Sequence, residues 1–331
     1  MNNPNDNFRW GILGCGRIAN DFAECLALLP NVEIAAVASR SEERAREFSS
    51  KHNSSTYYTD YKELVSDPDV DAIYVATTHN FHKDHVLLCL EMGKHVLCEK
   101  PLTTNSDESE HLIRVAREKG LFLMEAMWTR FLPLWVNVKQ WIEDGLIGEL
   151  IMVKADFGFF TRHGDFGRHL NPDIAGGALL DVGIYPISLA CWLFGGVPPI
   201  SHSNAYITEK GVDGVSSYYL DFGKNKSALL SSSVIVHTPK DAVIVGTKGY
   251  INVPEFWKAQ QVSVYINGEE EKHHNFPYEP FGFQYEAQEV MECIVKGELE
   301  SSVMPLDETQ DILKLMDSFR KSWNLNYPWE K

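Results

Sequence analysis

A lysine held by a following proline, in Cys98-Glu99-Lys100-Pro101-Leu102, lies downstream of a glycine-rich turn, Gly11-Ile12-Leu13-Gly14-Cys15-Gly16-Arg17-Ile18-Ala19. The two segments suit different chemistry. Gly14 permits a tight turn, Gly16 lets a pyrophosphate approach the backbone, and Ala19 keeps the following helix close to the sheet. The helix starting at Arg17 and Ile18 offers unsatisfied N–H groups and the favourable end of its dipole to an anion. Pro101 restricts Lys100 to an extended backbone at a strand end. An ammonium there orients a substrate hydroxyl and stabilises a developing alkoxide. Turn and lysine together imply a nicotinamide-dependent oxidoreductase rather than a generic nucleotide binder.

Two further sets bear on the same chemistry. In Gly176-Gly177-Ala178-Leu179-Leu180-Asp181-Val182-Gly183-Ile184-Tyr185-Pro186, Asp181 and Tyr185 are four apart and share one face of a helix. A carboxylate and a phenol side by side suit substrate binding and proton transfer; equally, they are a first-turn aspartate and a packed tyrosine. The strand at 33–38 ends in Ser39-Arg40-Ser41, with Arg44 one helical turn on. An NAD site places an acid here for the ribose hydroxyl, whereas arginine attracts a 2′-phosphate. The segment therefore reads as NADP-selective, the alternative being that Arg40 is a solvated loop cation.

The elements that must position these residues alternate over the first 125 positions. Strands are expected at 10–13, 33–38, 72–77, 95–98 and 121–125, with helices at 17–28, 42–51, 61–66, 82–92 and 107–119. Ser41 and Asp60 stand at N-caps, and Gly93 and Gly120 at helix ends. This is an α/β pattern with a doubly wound parallel sheet. Beyond it come a helix at 132–143, a strand at 150–158 and a loop holding Arg162, His163 and Arg168. A helix at 177–194 follows, then strands at 203–208, 215–222, 227–236, 242–246 and 262–266, and helices at 281–297 and 307–322. The expected domains are 1–126 and 127–331, the second α/β with a large, mainly antiparallel open sheet.

With 331 residues the chain suits two domains. Its net charge of −16 argues against nucleic acid, which needs clustered cations. The polar N-terminus does not read as a signal peptide, and Asp181, Pro186 and several glycines interrupt the apolar run at 176–196, so no membrane partner is expected. The six cysteines form no C-x-x-C pair, which suits reduced thiols in cytoplasm. Cys98 reads as a small buried residue. His82 and His85 lack a third ligand at metal spacing, so no metal is expected. His273-His274 reads as a solvated pair beside a turn.

The ordered set 11–19, 98–102 and 181–185 resembles the glucose–fructose oxidoreductase, inositol 2-dehydrogenase and MocA (Gfo/Idh/MocA) family across essentially the whole chain. Glu125-Ala126-Met127-Trp128-Thr129-Arg130-Phe131-Leu132-Pro133 and Ala155-Asp156-Phe157-Gly158 resemble its dimeric dihydrodiol dehydrogenase and NADP-dependent D-xylose dehydrogenase branch. The resemblance implies a Rossmann domain followed by an open-sheet domain whose broad face supports a homodimer or higher oligomer. It implies Lys100, Tyr185 and Asp181 as catalytic, Asp181 also as a substrate contact, and Trp128, Arg130, Phe157 and Trp257 around the substrate. For the cofactor it implies Gly14, Gly16, Arg17, Ile18, Ser39, Arg40, Arg44, Glu99 and Lys100, with Thr77, Thr78, Asn80 and His82 in the loop beside the nicotinamide ribose.

The expected activity is reversible oxidation of a secondary or anomeric alcohol of a sugar, cyclic polyol or trans-dihydrodiol with NADP. Tyr185 would exchange the hydroxyl proton while Lys100 lowers its pKa. Two alternatives stay open: a non-catalytic NADP-binding regulator, and an oxidoreductase whose NADP does not exchange.

Overall fold

Apolar β-rich runs separated by helices build a six-stranded parallel sheet in the first part of the chain. A computed structural model describes residues 7–161 and 167–330. Strands β1 (Phe8–Leu13), β2 (Val32–Ala38), β3 (Thr56–Tyr58), β4 (Ala72–Val75), β5 (His95–Glu99) and β6 (Leu123–Ala126) lie in the order β3-β2-β1-β4-β5-β6. Helices α1 (Arg17–Leu26), α2 (Glu42–His52), α3 (Tyr61–Ser66), α4 (His82–Glu91) and α5 (Ser106–Lys119) connect them. The order reverses beside β1, the switch point at which such sheets bind ligands beyond their carboxyl ends. β4 and β6 are buried along their whole length, as expected of strands covered on both faces. The short edge strand β3 was absent from the sequence-based expectation.

The remaining strands form one eight-stranded sheet. They are β7 (Leu150–Gly158), β8 (Ile200–Ile207), β9 (Asp213–Gly223), β10 (Lys226–Ser233), β11 (Ala242–Gly246), β12 (Gly249–Val253), β13 (Gln261–Ile266) and β14 (Lys272–Asn275). Their order is β14-β13-β12-β11-β7-β10-β9-β8, antiparallel except where β10 runs parallel to β7. Alternation assigns the two faces: Tyr218, Leu220, Ala228 and Leu230 point inward, while Tyr219 and Leu229 are exposed. β12 and β14 were not expected, and His273-His274 lies within β14, with His273 Nδ1 2.8 Å from Ser263 Oγ. The apolar stretch Pro172–Phe194 is long enough to cross a membrane, but 94% of its most apolar window is buried, the property of a core helix.

The chain divides into two compact units. The first is Met1–Thr103, Asp107–Trp128 and Tyr278–Thr309; the second is Thr104–Ser106, Thr129–Pro277 and Gln310–Lys331. The chain passes into the second unit after Trp128, and residues 278–309 return to the first, a segment that an expected second domain of 127–331 would have kept. It brings α8 (Gln284–Lys296) against α1. α6 (Pro133–Glu143) and α7 (Ile184–Phe194) belong to the second unit, as does most of α9 (Leu306–Ser322).

Candidate active site

The glycine turn after β1 has the backbone its sequence demands. Gly14 has φ +104° and donates its N–H to Ala38 O at 2.9 Å; a Cβ there would lie 2.9 Å from Ala76 O. Gly16, at the start of α1, faces open space, and a Cβ would meet nothing within 4 Å. No side chain caps α1, and no acid occupies its first turn. Gly16 and Arg17 are exposed and Ile18 is half-buried. An uncapped helix start beneath an open glycine fits a dinucleotide pyrophosphate.

At the end of β2, Ser39 is buried while Arg40 and Arg44 are exposed. The connecting Ser39-Arg40-Ser41 holds no carboxylate. Ser41 Oγ accepts the Arg44 N–H and caps α2, which fixes the arginine-bearing turn. The Arg40 guanidinium lies 5.4 Å from the centre of the Phe81 ring. After β4, Thr77 Oγ1 lies 3.0 Å from His85 Nδ1, and Thr78 Oγ1 donates to Asn80 Oδ1 at 2.8 Å.

His82 corrects an expectation. Its side chain is fully buried, with Nδ1 2.8 Å from Pro101 O and Nε2 3.0 Å from Thr77 O. It ties the loop after β4 to the segment after β5 instead of presenting a ring to a cofactor. Burial lowers its pKa to about 4, opposed by the two carbonyls.

The segment carrying Lys100 is fastened on every side. Glu99 and Lys100 are buried, and the Lys100–Pro101 bond is cis. The Tyr74 hydroxyl donates to Glu99 Oε1. Leu102 N–H donates to Glu125 Oε1 at 2.9 Å, and Thr309 Oγ1 donates to Glu125 Oε2 at 3.1 Å. Glu286 of α8 is also fully buried; burial first, and the charge of Glu99 second, hold its pKa well above the usual carboxylate range. Sequence reasoning gave Tyr74, Glu125 and Glu286 no positioning role. A polar residue inside an apolar strand was the available signal for Glu125.

In the second unit, Asp181 lies on a five-residue π turn, Leu179–Gly183, that leads into α7. A regular helix was expected through this point. Pro186 gives the reason: it has no N–H for the carbonyl of Val182 and its ring crowds that carbonyl, so the turn widens. Asp181 and Tyr185 are both buried. Arg168 Nη2 donates to Asp181 Oδ1 at 2.6 Å, and His169 Nε2 lies 3.6 Å from Oδ2. Phe157, near the end of β7, lies 5.3 Å from the Tyr185 ring and stacks on Trp257 at 5.0 Å. The Trp257 backbone is held by Thr129 Oγ1, which donates to its carbonyl at 2.8 Å. The structure thus brings together Tyr185, Phe157 and Trp257, and pairs Asp181, four residues before Tyr185, with Arg168.

Arg130 is different. It is 2% exposed and donates through Nε and Nη2 to Ser188 Oγ at 3.2 and 2.8 Å, beneath α7. Its role is to anchor that helix, which corrects its expected place among the substrate contacts. Trp128 belongs to the first unit, buried 4.7 Å from the Phe283 ring. Arg162 and His163 lie outside the described residues, whereas Arg168 is the partner of Asp181.

A family model for the GFO/IDH/MocA oxidoreductases, NAD-binding Rossmann fold, matches residues 8–127, and one for the C-terminal domain of the same family matches 135–252. The trans-1,2-dihydrobenzene-1,2-diol dehydrogenase of Xenopus laevis is 39% identical over 332 residues, covering 97% of this chain and 99% of that protein. The human protein of that name is 36% identical over 338 residues, covering 98% and 99%. A 3-ketoreductase from Actinomadura kijaniata, solved with NADP and TDP-benzene, superposes with a TM-score of 0.85 at 26% identity over 96% of this chain and 98% of that one. An aldose–aldose oxidoreductase from Caulobacter crescentus shares the fold, with a TM-score of 0.87 at 22% identity over 96% and 98%. Matched along both domains, with the glycine turn and lysine in their expected local settings, this chain belongs to the GFO/IDH/MocA oxidoreductase family.

Proposed function

We propose that this chain is an NADP-dependent dehydrogenase or reductase acting on a CH–OH group flanked by another hydroxyl. Trans-dihydrodiols, aldoses and cyclic polyols are its substrate class. The observation that carries the reading is the packing of Tyr185 against the Phe157–Trp257 stack, with Asp181 buried on the turn that leads into the same helix. It sets a carboxylate that accepts from a hydroxyl and a phenol that exchanges a proton beside apolar ring faces that cover a carbocycle or a sugar.

Gly14, Gly16, Arg17 and Ile18 hold the pyrophosphate at the start of α1. Arg40 and Arg44 would pair with the 2′-phosphate, and Thr77, Thr78 and Asn80 would serve the nicotinamide ribose. When bound, the nicotinamide supplies the two-electron acceptor or donor. In the oxidative direction Tyr185 takes the hydroxyl proton, while Lys100 favours the phenolate and stabilises the oxygen as it gains charge. Asp181, held by Arg168, accepts from the adjacent hydroxyl and fixes which carbon reacts.

The test follows nicotinamide absorbance with NADP and with NAD across trans-1,2-dihydrobenzene-1,2-diol, aldoses and inositols. Turnover with NADP on one of these classes, at least about tenfold better in kcat/KM than with NAD, is expected because a bidentate guanidinium–phosphate pair is lost with NAD. Turnover with neither cofactor, in protein that binds and exchanges NADP, overturns the reading.

A further inference from the structure

Asp213, the first residue of β9, is 1% exposed and has no role in the chemistry above. Its Oδ2 accepts the Leu179 N–H at 2.7 Å and the Ser216 hydroxyl at 2.8 Å. Leu179 opens the π turn that carries Asp181. On the other side of the carboxyl, Oδ1 is buried with no hydrogen-bond partner among the described residues. It lies against Gly177, whose φ is +126° and where a Cβ would fall 2.3 Å from Oδ1. The Gly176-Gly177 turn is pinned a second time, because the Tyr327 hydroxyl donates to Gly176 O at 2.9 Å. A single carboxyl thus supports the entry to the segment bearing both Asp181 and Tyr185, with one oxygen left unpaired.

We propose that Asp213 is a positioning residue: its carboxyl fixes the register of the turn that presents Asp181 and Tyr185, and its ionisation couples that register to pH. An orphaned buried oxygen stabilises nothing in the fold by itself and carries the cost of its lost hydration. A neutral amide of the same shape would meet both donors without a buried charge. The charged groups around it come from three elements. Arg320 of α9 favours the carboxylate, while Tyr218 of β9 and Tyr327 near the C-terminus have pKa values raised first by burial and second by its charge. Burial dominates and raises the Asp213 pKa to about 7, against the hydrogen bonds from Ser216 and Leu179. The folded state therefore binds a proton that the unfolded chain releases at ordinary carboxylate pH. Stability contributed here is present below that range and is lost as pH rises towards about 7.

The kinetic part rests on the proposed oxidoreductase activity, so wild-type turnover with NADP and trans-1,2-dihydrobenzene-1,2-diol or the preferred aldose is measured first. Asp213→Ala is expected to lower kcat by at least about tenfold with KM for NADP within about twofold, since a misplacement of about 1 Å costs up to about a hundredfold. Asp213→Asn keeps an acceptor for Leu179 and Ser216, so it should recover kcat to within about threefold of wild type at acidic pH and remove the inflection near neutrality. Thermal unfolding gives a readout independent of turnover and of the alanine variant's folding. From acidic pH to above neutrality, the midpoint of wild type should fall relative to Asp213→Asn. The inference is overturned by an alanine variant with kcat within about twofold of wild type. A loss that asparagine does not rescue, or a midpoint difference independent of pH, overturns it as well. Absence of wild-type turnover on every substrate overturns the proposed activity instead and leaves the unfolding comparison to decide the role of Asp213.

Discussion

Lys100 is buried, its neighbour Glu99 is bonded to Tyr74, and the two residues that follow are tied to His82 and Glu125. An amine used only to decorate a surface needs none of these ties; one that must meet a reacting oxygen within a few tenths of an ångström needs all of them. Lys100→Met keeps the length and apolar stem of the side chain and removes its charge. We expect kcat to fall by about 10²–10³-fold, the usual cost of losing one preorganised electrostatic donor. NADP affinity should change by less than about threefold, because the residues proposed to hold the pyrophosphate and 2′-phosphate lie elsewhere in the chain. A stopped-flow binding titration beside steady-state kinetics checks both; near-normal turnover would take the lysine out of the mechanism. At this scale the sequence was informative wherever a residue type has few uses. Gly14, with its left-handed φ, and Lys100, with its following proline, belong to that group. His82 and Arg130 were misread because a polar side chain looks the same in sequence whether it faces a ligand or bonds a buried carbonyl or hydroxyl.

The elements show where periodicity is and is not sufficient. β1, β2, β4 and β5 were legible as apolar runs between helix caps, and β7 was expected at the bounds it has. β3 has three residues and β14 four, too short for alternation to register, and both are edge strands. The π turn at Asp181 was invisible for another reason: a 3.6-residue period does not report one added residue, although Pro186 hinted that a backbone bond had to be lost. That turn must also lie close to the sheet. Gly183 sits where a Cβ would be 2.7 Å from the Tyr218 hydroxyl and 2.9 Å from Ser232 Oγ, two atoms that bond each other at 2.8 Å across β9 and β10. Gly183→Ala therefore has to lift the helix or break the Tyr218–Ser232 bond. We expect a loss of about 1–3 kcal/mol, the usual cost of overpacking, read from urea midpoints. A fall in kcat should accompany it, because Asp181 and Tyr185 flank the displaced residue. Full stability and full kcat together would mean that the turn is not held against the sheet as tightly as this contact requires.

The return of residues 278–309 to the first unit is a property of the whole molecule that no local pattern encodes, since it depends on which apolar face α8 covers. The outer face of the eight-stranded sheet raises the corresponding question between molecules. His202, Tyr219, Leu229, Lys154 and Val243 stand in register across five strands, with Tyr219 39% and Leu229 47% exposed. Exposed tyrosine and leucine at the middle of such a row, flanked by His202 and Lys154, favour self-association, and we propose that two copies meet here. Each chain carries a net charge of −16, so association works against repulsion that salt screens over about 8–10 Å at moderate ionic strength. Sedimentation equilibrium should give twice the chain mass of 37.5 kDa, with tighter association as salt is raised. An interface built on ion pairs would loosen instead. Leu229→Glu places a carboxylate beside Lys154 at the centre of the face, where taking the pair out of water costs more than its attraction returns, so affinity should fall by about tenfold or more. The side chain points away from the core, so the monomer should unfold at nearly the wild-type temperature. A dimer that survives this substitution, or that weakens with salt, would move the interface off the sheet.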